Sequence, residues 1–172
     1  MKIHQSSFED ITEIFRLYGL ATEYQKTIFP ENTWPTFEHE LIETEIREKR
    51  QFKIVLDNQV ACVWAITFTD PQIWEERNKD PSIYIHRIAT NPDFRGRHFV
   101  SEIVKWARGY AASHQKKFIR MDTCGDNKKL IGHYKSSGFD FLGMVRLKNA
   151  DQLPSHYQDA DVCLFEINLN QP

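Results

Sequence analysis

Apolar residues recur every three or four positions in several stretches of the chain, which is the spacing of one face of an α-helix. The first stretch follows Ser6, which with Glu9 three residues later matches a capping box. The second begins near residues 33–35, where a proline suits the first turn of a helix. The pattern also predicts the longest helix over residues 99–114 and a short one over residues 128–136.

Short runs rich in β-branched and aromatic residues predict strands between these helices. The predicted strands are a short one at Ile3 and longer ones at residues 52–56, 60–68, 82–90, 118–123, 139–147 and 162–168. The turn at residues 57–59 predicts a hairpin, and residues 70–81 are a polar connection. The order β–α–α–β–β–β–α–β–α–β–β combines hairpins with two crossovers, which predicts an α/β fold with a mixed sheet covered by helices.

Composition and charge narrow the class of protein. The 172 residues suit one domain, predicted over residues 1–172, because the chain has neither an internal repeat nor a linker-like segment. The net charge of −2 gives no overall attraction to nucleic acid or to an anionic membrane. Apolar runs such as residues 60–68 are shorter than the ~20 residues of a spanning helix, and the N-terminus does not resemble a signal peptide. No nucleic-acid or membrane partner is predicted.

Cysteine and histidine spacing limits the chemistry further. Three cysteines, Cys62, Cys124 and Cys163, suit a reducing compartment, so a cytoplasmic location is predicted. Cys124 is either a reactive thiol or an inert packing residue. Cysteines and histidines do not fall at zinc-ligand spacing, so no metal site is predicted, and the glycine pattern of a P-loop is missing. Lys116, Lys117 and Arg120 are interpreted as a solvated helix end.

The segment between the fourth strand and the long helix carries the clearest chemical signal. It delivers Arg95, Gly96 and Arg97 to the start of the helix, where unpaired N–H groups and the helix dipole favour an anion. One interpretation is a cradle for a pyrophosphate. The other is an ordinary turn with two solvated arginines.

Residues 88–97 resemble the approach to the central signature of the GCN5-related N-acetyltransferases, the GNAT family. The sequence departs from that signature at His98 and Val100, where the family has small residues. Asn127, Tyr134 and the pair Gly138-Phe139 resemble a second landmark of the family, and the resemblance extends from about Ile3 to Asn168.

The resemblance implies a fold of about seven strands and about four helices. It also implies transfer of the acetyl group of acetyl-CoA to a primary amine of a small molecule or peptide, by direct attack in a ternary complex. The implied cofactor-binding residues are Ile88, Ala89, Thr90, Arg95, Gly96, Arg97, His98, Phe99, Val100, Ser101 and Asn127. The N–H of Ile88 is the implied donor to the thioester oxygen, and Asn127 is equally well explained as a helix cap.

The resemblance makes Tyr134 the general acid that protonates the leaving thiolate, since a phenol with a pKa near 10 stays protonated at neutral pH. The alternative is a tyrosine packed on the sheet. Many members carry a glutamate base at the position of Tyr84, so His86, on the same face two residues later, is the predicted base. A half-buried packing role is the alternative for His86, and Asp122 and Glu23 are held in reserve.

The acceptor pocket implied by the resemblance is aromatic. Its candidate residues are Tyr24, Trp34, Trp74, Tyr84, His156 and Tyr157. They suit an apolar or cationic acceptor, and they suit a core or a homodimer contact equally well. A non-catalytic CoA-binding or protein-interaction module of the same fold is the alternative to an enzyme, and a different acyl-CoA is the alternative donor.

Overall fold

The computed structural model describes residues 1–28, 30, 33–147, 153–158 and 160–170, which form seven strands and five α-helices. The strands are β1 (Lys2–Gln5), β2 (Gln51–Leu56), β3 (Gln59–Thr67), β4 (Ser82–Thr90), β5 (Phe118–Cys124), β6 (Asp140–Arg146) and β7 (Asp161–Asn168). The helices are α1 (Ile11–Ile28), α2 (His39–Arg47), α3 (Pro71–Trp74), α4 (Phe99–Ser113) and α5 (Lys128–Ser136). The predicted α/β class is confirmed, and α3 adds a short helix to the predicted connection. The longest helix is α1 with 18 residues, not α4 with 15.

The seven strands form one mixed sheet in the order β1-β2-β3-β4-β5-β7-β6. β4 and β5 are parallel, whereas the neighbours β1–β2, β2–β3, β5–β7 and β6–β7 are antiparallel. Along the described strands, the parallel pairing ends at Tyr84 opposite Arg120. Both strands continue past this point, β4 to Thr90 and β5 to Cys124. The second half of β4 therefore extends beyond its register with β5.

The packing divides the chain into two compact units, each with its own apolar core. Unit 1 contains residues 1–66 and 86–99, and unit 2 contains residues 67–85 and 100–172. The core of unit 1 consists of Ile11, Ile14, Leu17, Tyr18, Phe37, Ile42, Ile46, Val63 and Ala89. The core of unit 2 includes Ile73, Trp74, Tyr84, Val162 and Leu164. The single domain expected from the sequence stays a prediction.

The predicted hairpin is confirmed between β2 and β3. Asp57 and Asn58 have φ angles of 51° and 59°, which is the left-handed pair that a tight two-residue hairpin turn requires. Aspartate and asparagine adopt this conformation more readily than other residues that carry a Cβ. The turn chemistry of these two residues therefore sets the pairing next to the turn, and a β-bulge between Ile54 and Val55 shifts the register further along the strands.

The predicted capping box at Ser6 and Glu9 is wrong by one residue. The backbone N–H of Ser7 donates to Oδ2 of Asp10 at 2.7 Å, and the Ser7 hydroxyl donates to the same oxygen at 3.1 Å. Ser6 is buried, and its N–H donates to the carbonyl of Gln51 at 2.8 Å. Ser6 thus extends the contact with β2 and does not start the helix.

The start of α2 also differs from the prediction, because the helix begins at His39 rather than near Pro35. Trp34 and Phe37 lie before the helix and pack edge-on against the ring of Tyr18, with centroids 5.8 and 5.3 Å away. Burial of these two rings outweighs the local helix signal of the proline.

Within the described residues, no helix combines the length and apolar character that crossing a membrane requires. The cytoplasmic location stays a prediction.

Candidate functional site

A left-handed residue interrupts the second half of β4. Arg87 has a φ of 51°, in the middle of a strand that runs from Ser82 to Thr90. This conformation costs a residue with a Cβ about 1–2 kcal/mol, and a single such residue bends a strand and redirects the groups that follow. The predicted thioester-binding segment, Ile88 to Thr90, follows directly.

The loop after β4 is anchored to β3 through Asn91. The N–H of Asn91 donates to the carbonyl of Ala61 at 2.9 Å, and its side-chain Nδ2 donates to the carbonyl of Val60 at 3.3 Å. Its Oδ1 accepts from the N–H of Asp93 at 3.2 Å. The first residues of the loop are therefore fixed relative to the sheet of unit 1.

The loop reaches α4 through two left-handed residues, Gly96 with φ 79° and His98 with φ 56°. Phe99 and Val100, the first residues of α4, are buried, so the Val100 side chain is directed into the core. The first N–H groups of an α-helix have no partner inside the helix. The exposed side chains of this segment are Arg95, Arg97, His98 and Ser101. Of the two departures from the family signature, only His98 places a large side chain at the surface.

Tyr24 lies beside this loop in unit 1. The guanidinium carbon of Arg95 is 4.3 Å from the centroid of the Tyr24 ring, and Tyr24 is 48% exposed. The contact is a cation–π interaction with α1. Tyr24, predicted for the acceptor pocket, is therefore placed next to the predicted phosphate-binding arginine.

Tyr134 and Asn127 both have packing or capping partners in unit 2. The Tyr134 ring is buried 5.2 Å from the ring of Phe165 on β7 and 6.2 Å from that of Phe139. Oδ1 of Asn127 accepts from the N–H of Leu130 at 3.1 Å and so caps α5. The cap is confirmed, whereas the roles of Asn127 toward pantetheine and of Tyr134 as an acid stay predictions.

Several polar side chains of unit 2 lie around Asp122, which the sequence analysis named only as a reserve candidate for the general base. The hydroxyl of Tyr157 donates to Oδ2 of Asp122 at 2.7 Å. Burial raises the pKa of Asp122 to about 6, and it raises the pKa of Asp70 to about 8 with help from the charge of Asp122. Asp122 is therefore ionised and Asp70 protonated at neutral pH.

Asp70 is expected to make stability fall as pH rises. Because its pKa is about 8 in the folded protein and the ordinary pKa of an aspartate is 3.8, the native state holds one more proton than the unfolded state between these two values. Asp70→Asn, which removes this titration, should raise the free energy of unfolding by at least ~1 kcal/mol at pH 8. Urea unfolding of the wild type and the variant at pH 4 and pH 8 measures this difference in the free energy of unfolding. An equal effect of the variant at both pH values would contradict the assignment.

His86 carries a strongly lowered pKa. Burial, followed by the positive charges of Arg87 and Arg50, lowers the pKa of His86 to about 3. The imidazole is thus neutral at pH 7 but weakly basic. Its role as the general base stays a prediction, and the lowered pKa weighs against it.

The remaining predicted acceptor residues are divided between the two units. Trp34 packs with Tyr18 and Phe37 in unit 1. In unit 2, Trp74 lies against Tyr84 with centroids 5.7 Å apart. The His156 ring is tilted against the Tyr157 ring, with centroids 4.3 Å apart.

Arg120 is buried beside Tyr84. Arg120 is 1% exposed, its Nε donates to Glu166 at 2.8 Å, and its Nη2 donates to Asp80 at 2.6 Å. Its Nη1 donates to the hydroxyl of Tyr84 at 3.5 Å. The interpretation of Arg120 as part of a solvated helix end is therefore wrong.

Cys124 is partly buried, and burial raises its thiol pKa to about 12, which supports the inert alternative.

Comparisons with known proteins identify the family of this chain. The acetyltransferase (GNAT) family profile matches residues 10–139. The chain therefore belongs to the GNAT family of acetyltransferases, which use acetyl-CoA. Over 74 residues it is 30% identical to YesJ, an uncharacterized N-acetyltransferase of Bacillus subtilis (strain 168). That match covers 43% of this chain and only 41% of YesJ.

Solved structures share the fold over nearly the whole chain. A GNAT acetyltransferase from Listeria monocytogenes 4b F2365 gives a TM-score of 0.76 at 20% identity, covering 98% of this chain and 94% of its own. The ribosomal-protein-alanine N-acetyltransferase of Brucella melitensis gives 0.71 at 14% identity, covering 98% and 100%. Salmonella typhimurium yncA, determined with its cofactor acetyl-CoA, gives 0.70 at 12% identity, covering 99% and 95%. These likenesses show the fold.

Proposed function

We propose that the protein transfers the acetyl group of acetyl-CoA to a primary amine of a small molecule or peptide, by direct attack in a ternary complex. The observation that carries the proposal is the backbone from Arg87 to α4. It combines a bend in β4, an anchored loop and left-handed residues at Gly96 and His98 that lead into a helix N-terminus. In a GNAT chain, this backbone suits an acyl-CoA arm followed by its pyrophosphate.

In the proposed reaction the amine nitrogen forms a bond to the acetyl carbon, and the carbon–sulfur bond breaks. The N–H of Ile88 polarises the thioester carbonyl, and backbone N–H groups at residues 97–101 bind the pyrophosphate with Arg95 and Arg97. Tyr134 donates its phenolic proton to the departing sulfur. The amine proton passes to a base, for which Asp122 is the stronger candidate because its pKa of about 6 exceeds that of His86.

One observation favours the alternative of a non-catalytic module of the same fold. His98 is exposed and left-handed at a position where the family resemblance leads us to expect a small residue. An imidazole there reduces the space available to phosphates. A module of this kind binds CoA weakly or not at all and does not turn over acetyl-CoA.

Calorimetric titration with acetyl-CoA, CoA and a longer acyl-CoA is the direct test of the proposed cofactor. We expect micromolar binding of acetyl-CoA. A carboxylate introduced by His98→Glu should repel the pyrophosphate and weaken binding at least ~10-fold. His114→Glu, the same change just after the far end of α4, is the control and should leave the affinity unchanged. No binding at millimolar acetyl-CoA would contradict the proposal, and preference for the longer acyl-CoA would reassign the donor.

A further inference from the structure

A buried ion pair joins α2 to the bend in β4. Glu45 on α2 is 1% exposed, and its Oε1 accepts a hydrogen bond from the guanidinium Nη2 of Arg87. The Arg87 side chain is only 15% exposed, and its guanidinium carbon lies 5.2 Å from the centroid of the Phe37 ring. Nη1 of Arg50 is 3.8 Å from the same carboxylate oxygen of Glu45. Two elements of unit 1 that are far apart in the sequence are thereby linked through Arg87.

Two energetically costly features coincide at Arg87. Burying a charged pair costs desolvation energy that good geometry must offset. A left-handed backbone at a residue with a Cβ costs free energy as well, and such residues persist only when their surroundings hold them. The ion pair with Glu45 and the contact with Phe37 hold the Arg87 guanidinium in one place. The backbone of Arg87 is therefore restricted to conformations from which the side chain can reach that place.

We propose that Glu45 and Arg87 are positioning residues for acyl-CoA: their ion pair keeps Arg87 left-handed and so sets the direction in which Ile88 to Thr90 present their backbone groups. This inference rests on the proposed function, because it assigns those backbone groups to the acyl-CoA arm. Neither side chain needs to touch the cofactor. The hydroxyl of Thr90 donates to Sγ of Cys62 at 3.7 Å, so this segment offers its backbone rather than that hydroxyl.

A pair of variants separates the backbone conformation from the lost ion pair. Arg87→Ala and Arg87→Gly are each combined with Glu45→Gln, so that no buried carboxylate is left without its partner. Both double variants lack the ion pair, and they differ only in the Cβ. Alanine must be forced into the left-handed region when acyl-CoA binds, whereas glycine adopts it freely.

The Kd for acetyl-CoA, measured by calorimetry, should rise about tenfold in the alanine variant and no more than about threefold in the glycine variant. A purely structural role predicts that affinity falls only as far as each variant unfolds at the temperature of the titration. Because a positive φ favours glycine over alanine in the fold as well, the glycine variant is also expected to be the more stable of the two. Thermal unfolding of both variants, run in parallel, shows this stability order. Equal acetyl-CoA affinity of the two double variants would overturn the inference.

Glu45→Gln alone keeps the inference testable where the double variants do not fold. It should weaken acetyl-CoA binding about threefold, because a neutral amide holds the guanidinium less firmly. Glu43→Gln on the same helix, where the carboxylate pairs with exposed His39, is the matched control and should leave Kd unchanged. Wild-type affinity in Glu45→Gln would overturn the inference. Failure of the wild-type protein itself to bind acetyl-CoA would instead refute the proposed function.

Discussion

Tyr134→Phe is expected to lower kcat about 10²- to 10³-fold while the Kd for acetyl-CoA stays within about twofold of wild type. The Tyr134 ring is 8% exposed and packs on Phe139 and Phe165. Phenylalanine keeps these ring contacts and removes only the hydroxyl. Loss of turnover with intact binding and folding therefore identifies the hydroxyl as the proton donor. Release of CoA thiol measures turnover, with an amine found by screening as acceptor.

Tyr110→Phe is the matched control for this experiment. Tyr110 lies on α4, where its ring stacks on those of Trp106 and His114. The same loss of a hydroxyl at this position should leave kcat unchanged. If Tyr134→Phe turns over acetyl-CoA as fast as wild type, another group protonates the sulfur and Tyr134 is a packing residue. If wild-type protein binds acetyl-CoA but shows no turnover with any amine, the non-catalytic alternative is favoured.

The sequence predicted most of the fold because the signals for its elements are local. The β-branched and aromatic runs of β2 and β3, the turn at Asp57 and Asn58, and the helical spacing of apolar residues in α4 are each signals from residues a few positions apart. Boundaries were less predictable where tertiary contacts compete with local signals. The delayed start of α2 is an example, since Trp34 and Phe37 are drawn to Tyr18 rather than into a helix.

The site was less predictable because its key features join distant residues. The family signature located the loop at Arg95 to His98, but periodicity could not reveal the left-handed Arg87 or its contact with Glu45 in another element. Similarly, burial raises the pKa of Asp122. Its hydrogen-bond partner, Tyr157, is 35 positions away in the sequence. The alternation of β5 offered one usable signal, because it places Asp122 on the same face as Arg120.

Asp122 and Tyr134 lie on opposite faces of the sheet in unit 2. Asp122 pairs with Leu164, whereas the neighbouring Met121 pairs with Phe165, against which Tyr134 packs. Adjacent residues of a strand point to opposite faces, so the carboxylate and the phenol are separated by the strand. Asp122 also follows the point at Arg120 where the β4–β5 pairing ends. In the proposed reaction, the group that takes the amine proton and the group that protonates the thiolate are therefore separate.

Asp122→Asn is therefore expected to lower kcat at pH 7 by about 10²-fold with little change in the Kd for acetyl-CoA. Because the carboxylate is the active form, the wild-type kcat should rise with pH through the Asp122 pKa of about 6, and the variant should lack this rise. Asparagine preserves the size of the side chain and its capacity to accept from Tyr157. Asp140→Asn, at an exposed site at the start of β6, is the control and should behave as wild type.

His86→Gln, measured beside Asp122→Asn, decides between the two candidate bases. Because the pKa of His86 is lowered to about 3, its imidazole is already neutral throughout the range in which Asp122 titrates. Ionisation of His86 therefore cannot produce an inflection near pH 6. A larger loss of kcat in His86→Gln than in Asp122→Asn, with a wild-type kcat that does not change with pH near 6, would assign the base to His86. The opposite pattern assigns the amine proton to Asp122, with the Tyr157 hydrogen bond favouring its charged form.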